Sequence, residues 1–300
     1  MKKLPLVLAL TGTSLLFLAG CADGADDAAP PEETVGSFEA ALVPSATIVT
    51  GDPSVSSSAS PKIATAKCGA GLRVIGGGGR VINNGHIVIT RLEPVHPAVG
   101  SDSYEIDASE DEVGTTGNWS VQAIAICAPP PAGYAIISNT TAVGSGSFQN
   151  ALVTCPAGKN ALGTGGKITG GNGQVDLSTV SEGGALNPSG ASVGGEEDAN
   201  GFAGNWSATV FAVCATNPVF GDAQRVVAPS ASDSASPKTV TATCPSGLAI
   251  TGSSAFIGSS AAEVDSVTYN AGRTAVTVTG HENTPTASGW SITAYASCAR

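Results

Sequence analysis

Few residues in this chain have the types and spacing that catalysis needs. The run Gly190-Ala191-Ser192-Val193-Gly194 matches the nucleophile-elbow pattern, in which a serine attacks a carbonyl, and His281 follows it in the order that a general base would occupy. That turn needs a strand before it and a helix after it, but glycines and acidic residues follow Gly194. We interpret Ser192 as a surface-loop residue, and a secreted serine hydrolase is kept only as an alternative.

A short polar pair recurs before each tryptophan of the chain. The pairs are Glu110-Asp111, Glu197-Asp198 and Glu282-Asn283. Their oxygens are hard ligands of the kind that Ca²⁺ prefers. Each loop offers only two or three side chains and lacks EF-hand or RTX-type spacing, which favours a solvated acidic loop over a calcium site. The sequence therefore predicts no catalytic residue, no metal site and no cofactor.

The tryptophans themselves could form a platform for stacking on sugars. All three occupy one position of a repeated pattern, in phase with a cysteine that follows eight residues later: Trp119, Trp206 and Trp290. A large aromatic side chain that alternates in phase with a cysteine is more typical of a core residue than of a ligand platform. We predict that these tryptophans form the core of each repeat.

Two glycine runs, 76–79 and 163–166, could in principle cradle a phosphate with bare backbone amides. Neither a phosphate-binding loop nor a dinucleotide fingerprint is present, so we predict a β-bulge or a close backbone approach. The net charge of -11 with a pI near 4.6 opposes binding to phosphate backbones. Nucleic acid is therefore excluded as a partner.

The chain contains three copies of one unit. Each copy ends in a Trp-Ser strand that closes with Cys-Ala, and the tryptophans recur at intervals of 87 and 84 residues. Each copy begins with Ser-x-Lys or Ser-x-Gln, eight residues before its first cysteine. The predicted divisions are a signal peptide at 1–20, a lipidated acidic tether at 21–42, and β-repeats at 43–130, 131–218 and 219–300.

Six cysteines remain after Cys21 is set aside, two in each copy. Of the fifteen possible connectivities, the simplest pairs the two cysteines of each copy. The predicted pairs are Cys68 with Cys127, Cys155 with Cys214, and Cys244 with Cys298. Each loop of about sixty residues would contribute roughly 4 kcal/mol on the chain-entropy estimate. Such bonds are typical of an oxidising, exported compartment.

Apolar residues alternate with period two in the segments outside the N-terminus. The final segment of each copy shows this most clearly, as in Trp119, Val121, Ala123, Ala125 and Cys127. The predicted class is all-β, with three tandem, disulfide-stapled, β-sandwich-like repeats. A threefold, β-prism-like single domain is the alternative. The repeat pattern resembles repeats of secreted or surface proteins of bacteria, a resemblance that implies location and β architecture but no activity.

The N-terminus has the features of an export signal. Lys2 and Lys3 precede an apolar stretch that ends in Leu18-Ala19-Gly20-Cys21. This ending resembles the lipobox of bacterial lipoproteins, which implies that Cys21 is acylated and becomes the mature N-terminus. Anchoring in the membrane would then depend on lipid rather than on a basic patch.

Taken together, these features predict an exported, lipid-anchored protein of the outer membrane or cell surface. Its expected role is a non-catalytic binding or adhesion module for a glycan or an envelope protein. Three similar units would add multivalency to weak single contacts. The alternative is an inert structural component of the envelope.

Overall fold

The computed structural model of the chain describes residues 45–83, 85–183, 189–216 and 224–300. All of these residues belong to one compact unit. The predicted signal peptide, Cys21 and most of the acidic tether lie outside the described residues. The described part contains no helix with the length and hydrophobicity needed to cross a membrane.

The described residues form eighteen strands, six in each repeat. The first repeat contains β1 (Thr47–Thr50), β2 (Lys62–Lys67), β3 (Arg73–Ile82), β4 (Ile87–Val95), β5 (Ser103–Glu110) and β6 (Ser120–Ala128). The second contains β7 (Ala135–Thr140), β8 (Phe148–Thr154), β9 (Lys159–Thr169), β10 (Val175–Gly183), β11 (Gly190–Glu197) and β12 (Ser207–Thr216). The third contains β13 (Gln224–Pro229), β14 (Lys238–Thr243), β15 (Ala249–Ile257), β16 (Ala262–Tyr269), β17 (Ala275–Glu282) and β18 (Ile292–Ala299).

The strands form three six-stranded sheets, and every sheet is shared by two repeats. The first sheet has the order β1-β6-β3-β16-β17-β14, the second β2-β5-β4-β9-β12-β7, and the third β13-β18-β15-β10-β11-β8. All pairings are antiparallel, and the repeats join through β3 with β16, β4 with β9, and β10 with β15. The all-β, disulfide-stapled prediction is confirmed. The shared sheets correspond to the single-domain alternative rather than to separate units.

Each repeat is nevertheless sandwich-like in itself. In the first repeat, β1, β6 and β3 belong to the first sheet, whereas β2, β5 and β4 belong to the second. The two halves face each other, with β3 packed on β5 and β2 on β6. The core therefore lies between sheets and continues from one repeat to the next.

The three disulfides of the structure are the pairs that the cysteine spacing predicts. Cys68–Cys127, Cys155–Cys214 and Cys244–Cys298 close loops with sequence separations of 59, 59 and 54. In each repeat the first cysteine directly follows β2, β8 or β14, and the second lies in β6, β12 or β18. Because these strands belong to different sheets, every disulfide ties two sheets together.

The glycine runs lie in β3 and β9, where both predicted features occur. A register shift interrupts the pairing of β3 with β6 between Val74 and Gly76. A Cβ atom added to Gly76 would lie 2.5 Å from the carbonyl oxygen of Thr251, and one added to Gly163 would lie 2.3 Å from that of Ile75. The glycines therefore let strands of three repeats approach one another backbone to backbone.

Candidate functional site

The recurring acidic residue is a partner of the tryptophan that follows it. Trp119 Nε1 donates a hydrogen bond to Glu110 Oε1 at 2.9 Å, and Trp206 Nε1 donates one to Glu197 Oε1 at 3.1 Å. Glu110 and Glu197 are the last residues of β5 and β11. The expectation of a solvated loop is therefore wrong for these two glutamates, because burial of the indole N–H requires an acceptor nearby.

The polar residue at the start of each repeat also packs on the tryptophan. Lys62 Nζ lies 4.8 Å from the centroid of the Trp119 ring, and Lys238 Nζ lies 4.9 Å from that of Trp290. In the second repeat, Gln149 Nε2 donates to the carbonyl oxygen of Trp206 at 2.9 Å. The Ser-x-Lys and Ser-x-Gln motifs thus supply a polar cover for the ring, through a cation–π contact in two repeats.

The three tryptophans are among the most buried side chains of the protein. Trp119 and Trp206 are 0% exposed and Trp290 is 1% exposed. Their rings are not available to stack on a sugar. In the third repeat, Trp290 Nε1 and Glu282 Oε1 are buried without a hydrogen-bond partner within the described part of the chain. The pair that the other two repeats form is absent there.

The structure places the two residues of the hydrolase alternative in different sheets. Ser192 lies within β11, where it pairs with Ser181 and Leu152. This corrects the interpretation of Ser192 as a loop residue. His281 lies in β17 of the first sheet, and its ring contacts Glu263 and Asp265. The nucleophile-elbow pattern is therefore part of a regular strand, without the sharp turn that exposes a nucleophile.

Polar and charged groups of the loops that follow β5 and β11 lie close together. His86 Nδ1 lies 2.8 Å from Asp111 Oδ2. Burial and the neighbouring Glu112 raise the pKa of Asp198 to about 6. Backbone hydrogen bonding, then the Asn200 amide and the contact with Asp198, keep the pKa of Glu112 below its usual value. No group of three or more His, Cys, Asp or Glu is arranged to hold a metal among the described residues.

The outer face of the first sheet carries an array of hydroxyl groups on three neighbouring strands, referred to below as the hydroxyl face. Its residues are Thr239, Thr241 and Thr243 of β14, Thr277 and Thr279 of β17, and Ser266 and Thr268 of β16. Thr241 Oγ1 lies 2.9 Å from Thr277 Oγ1. Ser266 Oγ lies 2.7 Å from Thr279 Oγ1. The three threonines of β14 are exposed, so the array is accessible from solvent.

The equivalent faces of the other two sheets have different chemistry. In the second sheet the matched positions form an ion network in which Arg91 pairs with Glu93, Glu105 and Asp107. In the third sheet the matched positions are mixed: Thr154, Thr179, Ser181 and Ser192 keep hydroxyl groups, whereas Asn150, Gly194 and the exposed Leu152 interrupt the array. The repeats therefore preserve the core and differ on their outer faces, a difference that residue spacing alone does not reveal.

Comparison with known proteins assigns the chain to no group. No protein-family model matches it, and no curated protein matches it.

Proposed function

We propose that the protein is an exported, lipid-anchored component of the cell envelope that binds a glycan without catalysing a reaction. The three disulfides support export, because such bonds form and persist in oxidising compartments. The lipobox-like ending at Cys21 supports attachment to the outer membrane or cell surface by lipid.

The hydroxyl face is the observation that carries the binding proposal. Each threonine or serine hydroxyl can donate one hydrogen bond and accept others, which matches the donor and acceptor groups of a polyhydroxylated ligand. The paired strands hold these groups in fixed rows, so little side-chain freedom is lost when a ligand is bound. An extended glycan lying along the strands would meet several hydroxyl groups at once.

The differing outer faces change the expected basis of affinity. Three equivalent sites would have supported multivalent binding by a single molecule, but the matched positions hold an ion network in the second sheet, and in the third sheet Leu152, Asn150 and Gly194 interrupt the hydroxyl groups. We place the glycan on the first sheet alone. Multivalency would then come from many lipid-anchored copies on one surface.

An inert structural component is the second candidate, and the packing of the tryptophans favours it. The features that all three repeats keep are buried ones, including Trp119, Trp206, Trp290 and their disulfides. A protein whose only role is to cover or space the envelope would need this core and no binding face. The two candidates differ in whether the hydroxyl face has a saturable ligand.

The test measures binding to isolated envelope polysaccharides and to a glycan array. It uses the chain with Cys21→Ser, which cannot be acylated and is recovered without detergent. Replacing Thr241, Thr277 and Thr279 by valine keeps the side-chain shape and removes three hydroxyls. We expect at least a tenfold loss of affinity, equal to about 1.4 kcal/mol.

Thr65→Val is the matched control, because Thr65 pairs with Glu105 in the second sheet as Thr241 pairs with Thr277 in the first. This variant should bind as the parent does. If no glycan binds the parent protein, the binding proposal is wrong and the structural role replaces it. Membrane fractionation of the parent and Cys21→Ser chains tests the anchor separately.

A further inference from the structure

A small cavity lies where strands of all three sheets meet inside the protein. Its volume is about 20 Å³, which is room for one species the size of a water molecule. Apolar side chains of all three sheets form most of its wall, including Leu92, Val180 and Val267. Five polar side chains also line it: Tyr104 of β5, Asp176 of β10, Ser253 and Ser254 of β15, and Glu263 of β16.

Four polar atoms of Asp176, Ser254 and Glu263 have no hydrogen-bond partner among the described residues. They are Asp176 Oδ1, Ser254 Oγ, and both carboxyl oxygens of Glu263. Each atom is inaccessible to solvent, and Glu263 as a whole is only 1% exposed. An unsatisfied buried polar group costs about 1–3 kcal/mol, and a charged one costs more. Four such atoms around one cavity indicate a partner that the chain itself does not supply.

Asp102, another buried carboxylate of this protein, shows which hydrogen-bond donors surround a carboxylate whose oxygens are all paired. Asp102 is 0% exposed and accepts hydrogen bonds from the backbone N–H of Val74, the hydroxyl of Tyr134 and the guanidinium of Arg73. His96 Nδ1 also lies 2.7 Å from its Oδ1 atom. Glu263 has no comparable set of donors. Its contact with a basic group is an ion-pair distance of 3.3 Å from His281 Nε2 to Oε1.

The charges that face Glu263 are mostly negative. Burial raises the pKa of its carboxyl group first, and Asp176, Asp265, Asp111 and Asp198 add to this effect through their charges. His281 is the basic group at this position, and its Nδ1 atom lies 2.7 Å from Asp265 Oδ1. The imidazole of His281 thus contacts two carboxyl groups, those of Glu263 and Asp265.

Two tyrosine hydroxyls near the cavity are directed elsewhere. Tyr104 donates to the carbonyl oxygen of Thr164 at 3.0 Å, and Tyr269 donates to that of Gly77 at 2.6 Å. These donors therefore do not reach the unpartnered carboxyl oxygens in this arrangement. The cavity is thus lined by two acidic side chains and one serine hydroxyl with unpartnered oxygen atoms.

We propose that this cavity binds one calcium ion, with Asp176, Ser254 and Glu263 as its protein ligands. The donor set consists of oxygen atoms only, which selects a hard cation over zinc or copper. Two carboxylates balance the charge of a divalent ion. Ca²⁺ tolerates irregular coordination and a bidentate carboxylate, whereas Mg²⁺ requires a near-ideal octahedron. The set contains two carboxylates and one hydroxyl, and because the cavity has room for one species only, backbone oxygens of its wall would complete the coordination.

The register of the repeats explains why such a site would occur only once. Asp176 and Glu263 occupy matched positions in β10 and β16, and Val88 occupies that position in β4. Ser254 matches Gly78 and Gly165 in β3 and β9. Only where the second and third repeats meet does the sequence bring two carboxylates and a hydroxyl to the cavity. This site is separate from the Glu110, Glu197 and Glu282 positions considered in the sequence.

The experiment uses the Cys21→Ser chain after removal of metal with a chelator, at pH 7.5. Calcium chloride is titrated by calorimetry, and the melting temperature is followed by circular dichroism. We expect one saturable site, and a rise in Tm of roughly 5–10 °C at a calcium concentration 100-fold above Kd. Magnesium chloride at the same concentration should produce a smaller rise.

Glu263→Gln and Asp176→Asn identify the ligands. Each variant should lose calcium binding, while its metal-free Tm should equal or exceed that of the parent, because a buried charge has been removed. This combination separates loss of a ligand from loss of the fold. Glu93→Gln, on the outer face of the second sheet, should bind calcium as the parent does. Absence of calcium binding by the parent, or unchanged binding in Glu263→Gln, would overturn the proposal.

Discussion

Trp206 Nε1 donates a hydrogen bond to Glu197 Oε1 at 3.1 Å, and both residues are buried, with 0% and 8% of their surface exposed. The second carboxyl oxygen of Glu197 accepts a hydrogen bond from the backbone N–H of Phe202 at 3.1 Å. One glutamate therefore fixes both the tryptophan and the loop that leads to it. The same pairing joins Glu110 to Trp119.

Glu197→Ala should destabilise the protein by about 2–3 kcal/mol. The substitution leaves the buried indole N–H without an acceptor, and a group of this kind costs about 1–3 kcal/mol. It also removes the acceptor of the Phe202 N–H. Urea unfolding followed by tryptophan fluorescence measures the change.

Glu282→Ala is the matched control for this prediction. Glu282 holds the same position in the third repeat, but Trp290 Nε1 has no hydrogen-bond partner among the described residues. Its replacement should cost less than half as much as that of Glu197. Equal losses in the two variants would show that packing, rather than the hydrogen bond, accounts for the effect.

Removal of one disulfide should weaken the contact between two sheets. Cys155–Cys214 connects the end of β8 in the third sheet to β12 in the second. The double substitution to alanine should cost roughly 4 kcal/mol on the loop-entropy estimate. Differential scanning calorimetry of the oxidised parent and the variant measures the loss. A change below about 1 kcal/mol would show that the denatured chain is already restricted without the bond.

Gly163→Ala should be among the most damaging single substitutions in the chain. Its Cβ atom would lie 2.3 Å from the carbonyl oxygen of Ile75, which belongs to a different repeat and cannot move without disturbing β3. Overpacking of this kind costs about 1–3 kcal/mol or more. Thermal unfolding should show a lower Tm. Gly146→Ala, whose nearest contact would be at 3.7 Å, should leave Tm within about 1 °C.

The sequence predicts the repeats, the disulfides and the β class because each leaves a local mark. The alternation before Cys127 and the recurrence of Trp119, Trp206 and Trp290 require no knowledge of tertiary contacts. Local pattern does not predict every strand, and β1, β5, β7, β11 and β13 are among those that it does not indicate. Three of these are edge strands with one pairing neighbour, and β11 contains the glycines and Ser192 that resemble a turn. In β11, pairing with β8 and β10 outweighs a local composition that favours a turn.

The shared sheets could not be predicted from local pattern. Contacts between repeats depend on a few residue pairs, such as Val180 with Ala255 and Leu92 with Gly166. Nothing in the periodicity of a strand identifies its neighbour in another repeat. The cavity is invisible in sequence for the same reason, because Asp176 and Glu263 are brought together only by the meeting of the second and third repeats. The one available signal was an acidic residue at a position where the first repeat has Val88.

Stability of the metal-free protein should decrease as the pH rises from about 4 to about 6. Burial and the nearby Glu112 raise the pKa of Asp198 to about 6, whereas an aspartate in the unfolded chain titrates near 3.9. Between these values the folded protein holds a proton that the unfolded chain has released. The unfolded state therefore binds fewer protons, and the free energy of unfolding falls with increasing pH through this window.

Asp198→Asn should flatten this part of the pH profile, because the amide does not titrate. Below pH 4 the variant should be as stable as the parent or less stable. Above pH 6 it should be more stable than the parent. Tm measured at half-unit intervals from pH 3.5 to 7.5 in the presence of chelator gives the two profiles. Asp52→Asn is the control, because Asp52 lies at an exposed position before β2. Its plot of Tm against pH should keep the slope of the parent. Parallel profiles for the parent and Asp198→Asn would show that other buried carboxyl groups cause the pH dependence. Burial also raises the pKa values of Asp176 and Glu263, which are the first candidates.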